Sequence, residues 1–297
     1  MYTVSKKFFY IGIFIILGCF ILIFTILLIK CKRHSSTQKF TQLSEENSGK
    51  IISKMNTFVY PNGYTIKISD ESLIVNNQTW HEHLRNKVHE SESIQFVYEQ
   101  LSKKVAVHGN ATLVDIGAQS GLYSLYSKYF KNVRVDAYEP FPKSYKCLVD
   151  NIVLNDITDR VFPYQIAISN TQTKTIMRCP RDHTGLNTLG SNPLRFSEWE
   201  DIEVSTNTID NLYANKRIDF IKCDIEGWEY FMIQGAKNVL LRDKPDLLLE
   251  VNFDNMEQCG VTPQSFFDQL HDLGYVQKNI INNENWHFKM FEPDEKR

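Results

Sequence analysis

ATLVDIGAQSG, residues 111–121, ends an apolar run on an acid and follows it with two glycines four residues apart. The run reads as a buried strand, and GLYSLYSKYF, residues 121–130, reads as the helix it feeds. Gly117 and Gly121 would let the backbone turn tightly and approach a ligand closely. The dinucleotide fingerprint G-x-G-x-x-G needs three glycines to seat a pyrophosphate. Ala118 and Gln119 break that spacing, which favours a ligand without a pyrophosphate. A plain strand-to-helix turn would explain the loop alone equally well.

The same rhythm continues outward from this loop. VRVDAYEP is a second strand and FPKSYKCLVDNIVLN a second helix. VFPYQIAIS is a third strand, and residues 171–207 are irregular, with short strands and loops. TIDNLYAN is a short helix, IDFIKC a fourth strand, YFMIQGAKNVLLRD a helix and PDLLLEVN a fifth strand. TPQSFFDQLHDLGY is a helix, and YVQKNI and WHFKMFEP close the chain as strands. Strands alternating with helices imply an α/β, doubly wound, mainly parallel sheet.

Toward the N-terminus, residues 91–105 read as a helix with Ile94, Val97, Tyr98 and Leu101 on one face. Residues 58–75 read as a hairpin around Pro61-Asn62-Gly63. Residues 34–50 are polar and aperiodic, a stem. Residues 8–29 carry no charge. As a helix these residues span about 33 Å, enough for a hydrocarbon core of about 30 Å, and no small-residue cleavage site follows. We therefore expect an N-terminal transmembrane helix in residues 1–33, a stem at 34–50, a lead-in at 51–110 and the main domain at 111–297. Basic residues flank both ends of the apolar run, so they do not orient it. The sequons at Asn77 and Asn110 point to a lumenal body in the endomembrane system.

The chain has a net charge of −2. Lys6, Lys7, Lys30, Lys32 and Arg33 flank the apolar run, so the rest is more acidic still. That argues against nucleic-acid binding, which rests on phosphate neutralisation. The six cysteines show no C-x-x-C spacing, so neither a zinc site nor a disulfide framework is indicated. Oligomeric state is not readable.

The strand ends carry the chemistry. Asp115, Glu139, Asp224 and Glu250 each stand at or near the carboxyl edge of an expected strand. Ligands of open α/β sheets bind at that edge, so four acids there imply one pocket. Glu139 lies 18 residues beyond Gly121, the position from which an acid accepts hydrogen bonds from ribose hydroxyls. Pro140 holds it extended and stops the strand.

Together these motifs resemble the FkbM family of S-adenosylmethionine-dependent methyltransferases. The resemblance covers residues 112–252. It rests on VDIGAQSGLYSL, the EPFP step, NIVLN at residues 151–155, TIDNL around Asp210, IKCDIEGWE with the later Gly235-Ala236, and PDLLLEVN. The family usually has Asn where this chain has Gln119. The resemblance implies a seven-stranded, Rossmann-like methyltransferase fold. It also implies methyl transfer from S-adenosylmethionine to a hydroxyl-bearing acceptor: a sugar, glycan, lipid or small natural product. Asp115, Gly117 and Gly121 would line the methionine side, Glu139 would hold the ribose, and Ile166-Ala167 would meet the adenine. Asp224 and Glu226 would face the reacting centre, and we assign Glu250 to the acceptor.

A sulfonium donor is favoured near carboxylates. An alcohol acceptor needs a base, for which Asp224 or Glu226 is first choice and His183, in the irregular RDHTGLNTLG loop, second. The same carboxylates are alternative ligands for Mg²⁺ or Ca²⁺, although no metal is expected. Glu229 fits a helix-dipole role and Asp210 a cap of its own short helix. Asp224-Ile225-Glu226 also imitates the metal-binding D-x-D pair of single-anchor glycosyltransferases. A non-catalytic anchored adaptor and a nicotinamide dehydrogenase are further readings.

Overall fold

The computed structural model describes residues 55–60, 62–75, 90–181, 184–190 and 198–291. The expected anchor and stem, Asn77 and His183 lie outside the described residues. Among the described residues no helix is long and apolar enough to cross a membrane.

In chain order the elements are β1 (Met55–Val59), β2 (Thr65–Ser69), α1 (Asp70–Val75), α2 (Ser91–His108), β3 (Ala111–Ile116), α3 (Leu122–Leu125), β4 (Val133–Tyr138) and α4 (Pro142–Leu154). Then come β5 (Val161–Tyr164), β6 (Ala167–Ile168), β7 (Lys174–Pro180), β8 (Trp199–Asn207), α5 (Ile209–Leu212), β9 (Phe220–Cys223), α6 (Glu229–Gln234) and α7 (Lys237–Asp243). β10 (Asp246–Glu250), α8 (Phe253–Gln258), α9 (Pro263–Asp272), β11 (Tyr275–Ile281) and β12 (Asn285–Met290) complete the chain.

Seven strands form one sheet in the order β11-β12-β10-β9-β3-β4-β5. The five from β10 to β5 run parallel, and β12 is antiparallel to both β10 and β11. The chain winds from β3 outward through β4 and β5, then returns to lay β9 on the other side of β3. That reversal puts the topological switch point between β3 and β9, where open α/β sheets bind ligands.

Alternation along the strands builds both faces. Val114, Ile116, Ile221, Cys223, Leu247 and Leu249 join one buried cluster with residues of α6, α7, α8 and α9. Leu113 and Asp115 point the other way, where α2 packs on β3 through buried Ile94, Val97, Tyr98 and Leu101. The NIVLN stretch has a structural task. Asn151 on α4 and Asn155, which caps its C-terminus, sit four apart, and their side-chain oxygens accept from the backbone N–H groups of Ser69 (2.8 Å) and Lys67 (2.9 Å). They dock the β1–β2 hairpin on the main domain.

Several expected boundaries move. The third strand divides: β5 pairs with β4, whereas β6 belongs to a separate sheet ordered β6-β8-β7. The cause lies on the neighbouring strand. The last bond of the β4–β5 ladder is the Glu139 N–H to the Tyr164 carbonyl oxygen at 3.0 Å; the next donor on that side, the Phe141 N–H, is taken by Glu139 Oε1, so the chain past Tyr164 pairs elsewhere. Residues 171–207, expected to be irregular, hold the long antiparallel pair β7–β8. The single helix expected at residues 230–243 breaks into α6 and α7 at Gly235. A Cβ on Gly235 would lie 2.2 Å from the Ser169 carbonyl oxygen. Asp210 does not cap its own helix; Thr208 does. Asp210 instead accepts the N–H groups of Asn238 (3.2 Å) and Val239 (2.9 Å), at the start of α7.

Candidate active site at the switch point

The β3 and β9 ends meet at Gly117 and Asp224. Gly117 has φ +75°, and a Cβ there would stand 1.8 Å from the Asp224 carbonyl oxygen. Only glycine permits that approach. A cavity opens above this contact, lined among others by Gly117, Gln119, Glu139, Lys222, Asp224 and Glu226.

Glu139 lines the cavity and is 6% exposed. Its two oxygens accept backbone N–H bonds from Gln119 (2.9 Å) and Phe141 (2.8 Å). These two bonds fix the carboxylate without exhausting its lone pairs. Burial pushes its pKa up to about 7, although those two N–H bonds and Lys222 pull the other way. Beside it runs an apolar slot lined by Ile116, Tyr138, Ile166, Ala167, Ile168 and Ile225, among others. Asn187 borders both spaces, and its buried Oδ1 has no hydrogen-bond partner.

Asp115 departs from its expected place. It is fully buried and does not line the cavity. Its Oδ2 accepts from the Ser124 hydroxyl at 2.6 Å, and its Oδ1 lies 4.0 Å from Lys222 Nζ. Burial raises its pKa, opposed by Lys222 and Ser124. Gly121 also stands back from the cavity. It precedes α3, and a Cβ there would meet Leu148 Cδ1 at 2.8 Å, so it serves the packing of α3 on α4.

Asp224, Glu226 and Glu250 come together as expected, each offering an oxygen within 4.8 Å of the others. Glu226 follows β9 in a left-handed backbone conformation, φ +58°. That conformation is costly for a residue with a Cβ and is commonest at functional sites. Asn255 Nδ2 donates to Glu226 Oε2 at 2.7 Å and so orients it. Glu250 Oε2 is buried without a partner. Burial, then the charges of Asp224, Glu226, Glu229 and Glu284, hold its pKa well above the ordinary range. Such a cluster can be neutralised by a proton or by a divalent cation, and these three are the side chains that would hold one.

Glu229 opens α6, at the helix start where the sequence puts it, and it does more than face the helix dipole. It is fully buried, and its Oε1 accepts the Ile225 N–H at 2.7 Å. Burial pushes it up to about 8. It clamps the loop that carries Asp224 and Glu226.

The β7–β8 arm supplies the opposite wall through Met177, Gly185, Leu186 and Asn187. Thr188 Oγ1 donates to the Glu226 carbonyl oxygen at 3.1 Å, tying the arm to the acid loop. His183 belongs to this arm but lies outside the described residues.

Sequence reasoning passed over Lys222, Asn255 and Asn187. Lys222 could have been found, because a lysine inside IDFIKC interrupts an apolar strand. It is 3% exposed. Burial opposes its charge, but Asp224 and Asp115 more than offset that and raise its pKa.

Comparison with known proteins identifies a family. A model of the methyltransferase FkbM domain family matches residues 115–276. A Sordaria araneosa protein described as methyltransferase sdnD is 24% identical over 205 residues, which cover 57% of this chain and 78% of that one. Among solved structures, methyltransferase FkbM from Methylobacillus flagellatus KT is 15% identical with a TM-score of 0.42; the match covers 61% of this chain but only 44% of that one. The N-terminal domain of human METTL16 in complex with SAH is 12% identical with a TM-score of 0.41, covering 84% and 92%.

Proposed function

This chain belongs to the FkbM methyltransferase family, and from that premise we propose that it O-methylates a hydroxyl of a sugar, glycan, lipid or small natural product with S-adenosylmethionine. We propose further that residues 8–29 anchor it in a membrane of the endomembrane system, with the catalytic body lumenal. The uncharged 22-residue run supports the anchor, and Asn110 of the second sequon is exposed.

The residues fit the donor. Glu139 offers acceptor lone pairs in a buried carboxylate held by two backbone N–H groups. The apolar slot at Ala167 suits the flat adenine. The close approach of Gly117 leaves bare backbone beside it, and Asp224 suits a cationic group. When bound, S-adenosylmethionine supplies a methyl group on a positively charged sulfur, an electrophile that needs only an aligned nucleophile.

The single observation that carries the oxygen-methylating reading is the Glu226 carboxylate, oriented by Asn255 inside the cavity. An alcohol loses its proton as it is methylated, and a positioned carboxylate accepts it. Burial and the neighbouring acids raise the pKa of Glu250, so it holds a proton more readily than an exposed carboxylate does. The β7–β8 arm bounds the acceptor side through Met177, Leu186 and Asn187.

The test is transfer of a labelled methyl group to hydroxyl-bearing extracts, after calorimetry with S-adenosylmethionine. Donor binding followed by label in base-stable ethers is the expected result. Label only in amines or thiols sinks the oxygen assignment, and absence of donor binding sinks the enzyme reading.

A further inference from the structure

Among the described residues lining the cavity, six side chains carry carboxylates: Glu90, Glu139, Asp224, Glu226, Glu250 and Glu284. Lys222 is the one cation among them. It sits on β9 in register with Asp115 of β3, so its stem rises from the sheet floor on the α2 side. Its Nζ reaches the Gly117 carbonyl oxygen (3.5 Å) and Asp224 Oδ2 (3.4 Å), with Asp115 Oδ1 at 4.0 Å. The Tyr123 ring lies 4.8 Å from Nζ. A bare glycine carbonyl and a neighbouring carboxylate are what a ligand ammonium needs. Lys222 therefore stands where a ligand's own ammonium would bind.

We propose that Lys222 is the receptor for the α-carboxylate of the donor's amino-acid end. The proposal rests on the donor reading above and specifies which end of the donor the enzyme reads by charge. An amino-acid zwitterion brings one ammonium and one carboxylate. Its ammonium takes the Gly117 carbonyl and Asp224. Lys222, released from those contacts, pairs with the incoming carboxylate. Charges then alternate along the floor beside Lys222, and the ligand carboxylate meets a cation rather than another acid. Any other orientation would set the ligand carboxylate among six acids, where like charges repel. Asp115 stays below, sealed from the cavity and held by Ser124. It keeps Lys222 at the floor and acts as a positioning residue. A lysine that only counterbalances Asp115 would predict no dependence on the ligand carboxylate.

The test compares two ligands by calorimetry on the full chain. S-adenosylmethionine carries the carboxylate. Decarboxylated S-adenosylmethionine keeps the adenosine, the sulfonium and the ammonium but lacks it. Wild type is expected to bind the intact donor about 10–100-fold more tightly, the range for a charge-assisted hydrogen bond. Lys222→Met is expected to lose that preference, weakening for the intact donor while the decarboxylated one changes less than about twofold. Lys222→Gln carries the same expectation if the methionine variant does not fold. Equal affinities in wild type, or an unchanged ratio in either variant, overturn the proposal. A wild type that binds neither ligand overturns the donor reading instead, so the two failures are distinct.

Discussion

Gly117 and Asp224 touch backbone to backbone across the switch point: the Cβ that Gly117 lacks would stand 1.8 Å from the Asp224 carbonyl oxygen. Gly117→Ala must therefore push β3 and β9 apart at their ends, and it must also hold alanine at a positive φ. We expect a loss of about 3–5 kcal/mol, at the severe end for single substitutions. A shift in the urea unfolding midpoint measures it. A midpoint within error of wild type would mean that the contact yields freely.

Glu139 ionises only as pH rises through about 7, and its carboxylate is the form that accepts hydrogen bonds from two ribose hydroxyls. Donor affinity should therefore rise about tenfold between pH 6 and pH 8, following the ionised fraction. Glu139→Gln should bind weakly at both values, without that rise. Calorimetry at the two pH values decides the matter, and a parallel rise in the variant would assign the titration to another group.

Glu226 and Asn255 should separate chemistry from donor binding. Glu226→Gln should lower kcat by about 10²–10⁴-fold, the usual share of a general base, with donor affinity within about twofold. Asn255→Ala should cost less, because the base remains and only its orientation is lost. Excess chelator should leave the wild-type rate unchanged. Activity abolished by chelator and restored by Mg²⁺ would recast Asp224, Glu226 and Glu250 as metal ligands.

Glu229 makes folding stability depend on pH. Its pKa moves from the ordinary 4.5 to about 8 on folding, so the folded chain holds the proton more tightly than the unfolded one. Its contribution is full below about pH 4.5 and is lost as pH rises toward 8. Glu229→Gln keeps the acceptor for the Ile225 N–H and carries no charge. The variant should gain on wild type between those values, by at least about 2–4 °C in Tm, the shift that ~1 kcal/mol gives a domain of this size. A thermal melt series across pH tests this, and parallel curves would refute it.

Much of the site was legible because strand ends are legible. Apolar runs that stop on Glu139, Asp224 and Glu250 are local facts, and the parallel sheet gathers them at one edge. Asp115 looked like its neighbours, but its surroundings depend on register. Only the pairing of β3 with β9 brings Lys222 opposite it and seals it in. Asn255 escaped notice for a related reason: it reaches Glu226 from α8, a short helix that the sequence pattern did not reveal. The division of β5 from β6 required knowing that the Glu139 carboxylate, in a different segment, takes the Phe141 N–H that the ladder would need next. Periodicity reports what a residue's own segment does, and these features depend on what the adjacent segment does.

The β7–β8 arm leaves and returns at the same place. Ala167 and Ile168 pair with Thr206 and Asn207, and the Ser169 N–H donates to the Asn207 carbonyl oxygen at 2.9 Å. Its two ends are thus spliced side by side, outside the seven-stranded sheet. An excursion closed at its base tolerates changes in length cheaply, since closure entropy grows only slowly with loop size. The arm is therefore a replaceable cassette. Exchanging residues 170–206 between relatives should transplant acceptor preference while Glu139, Asp224 and Lys222 stay on their own strands.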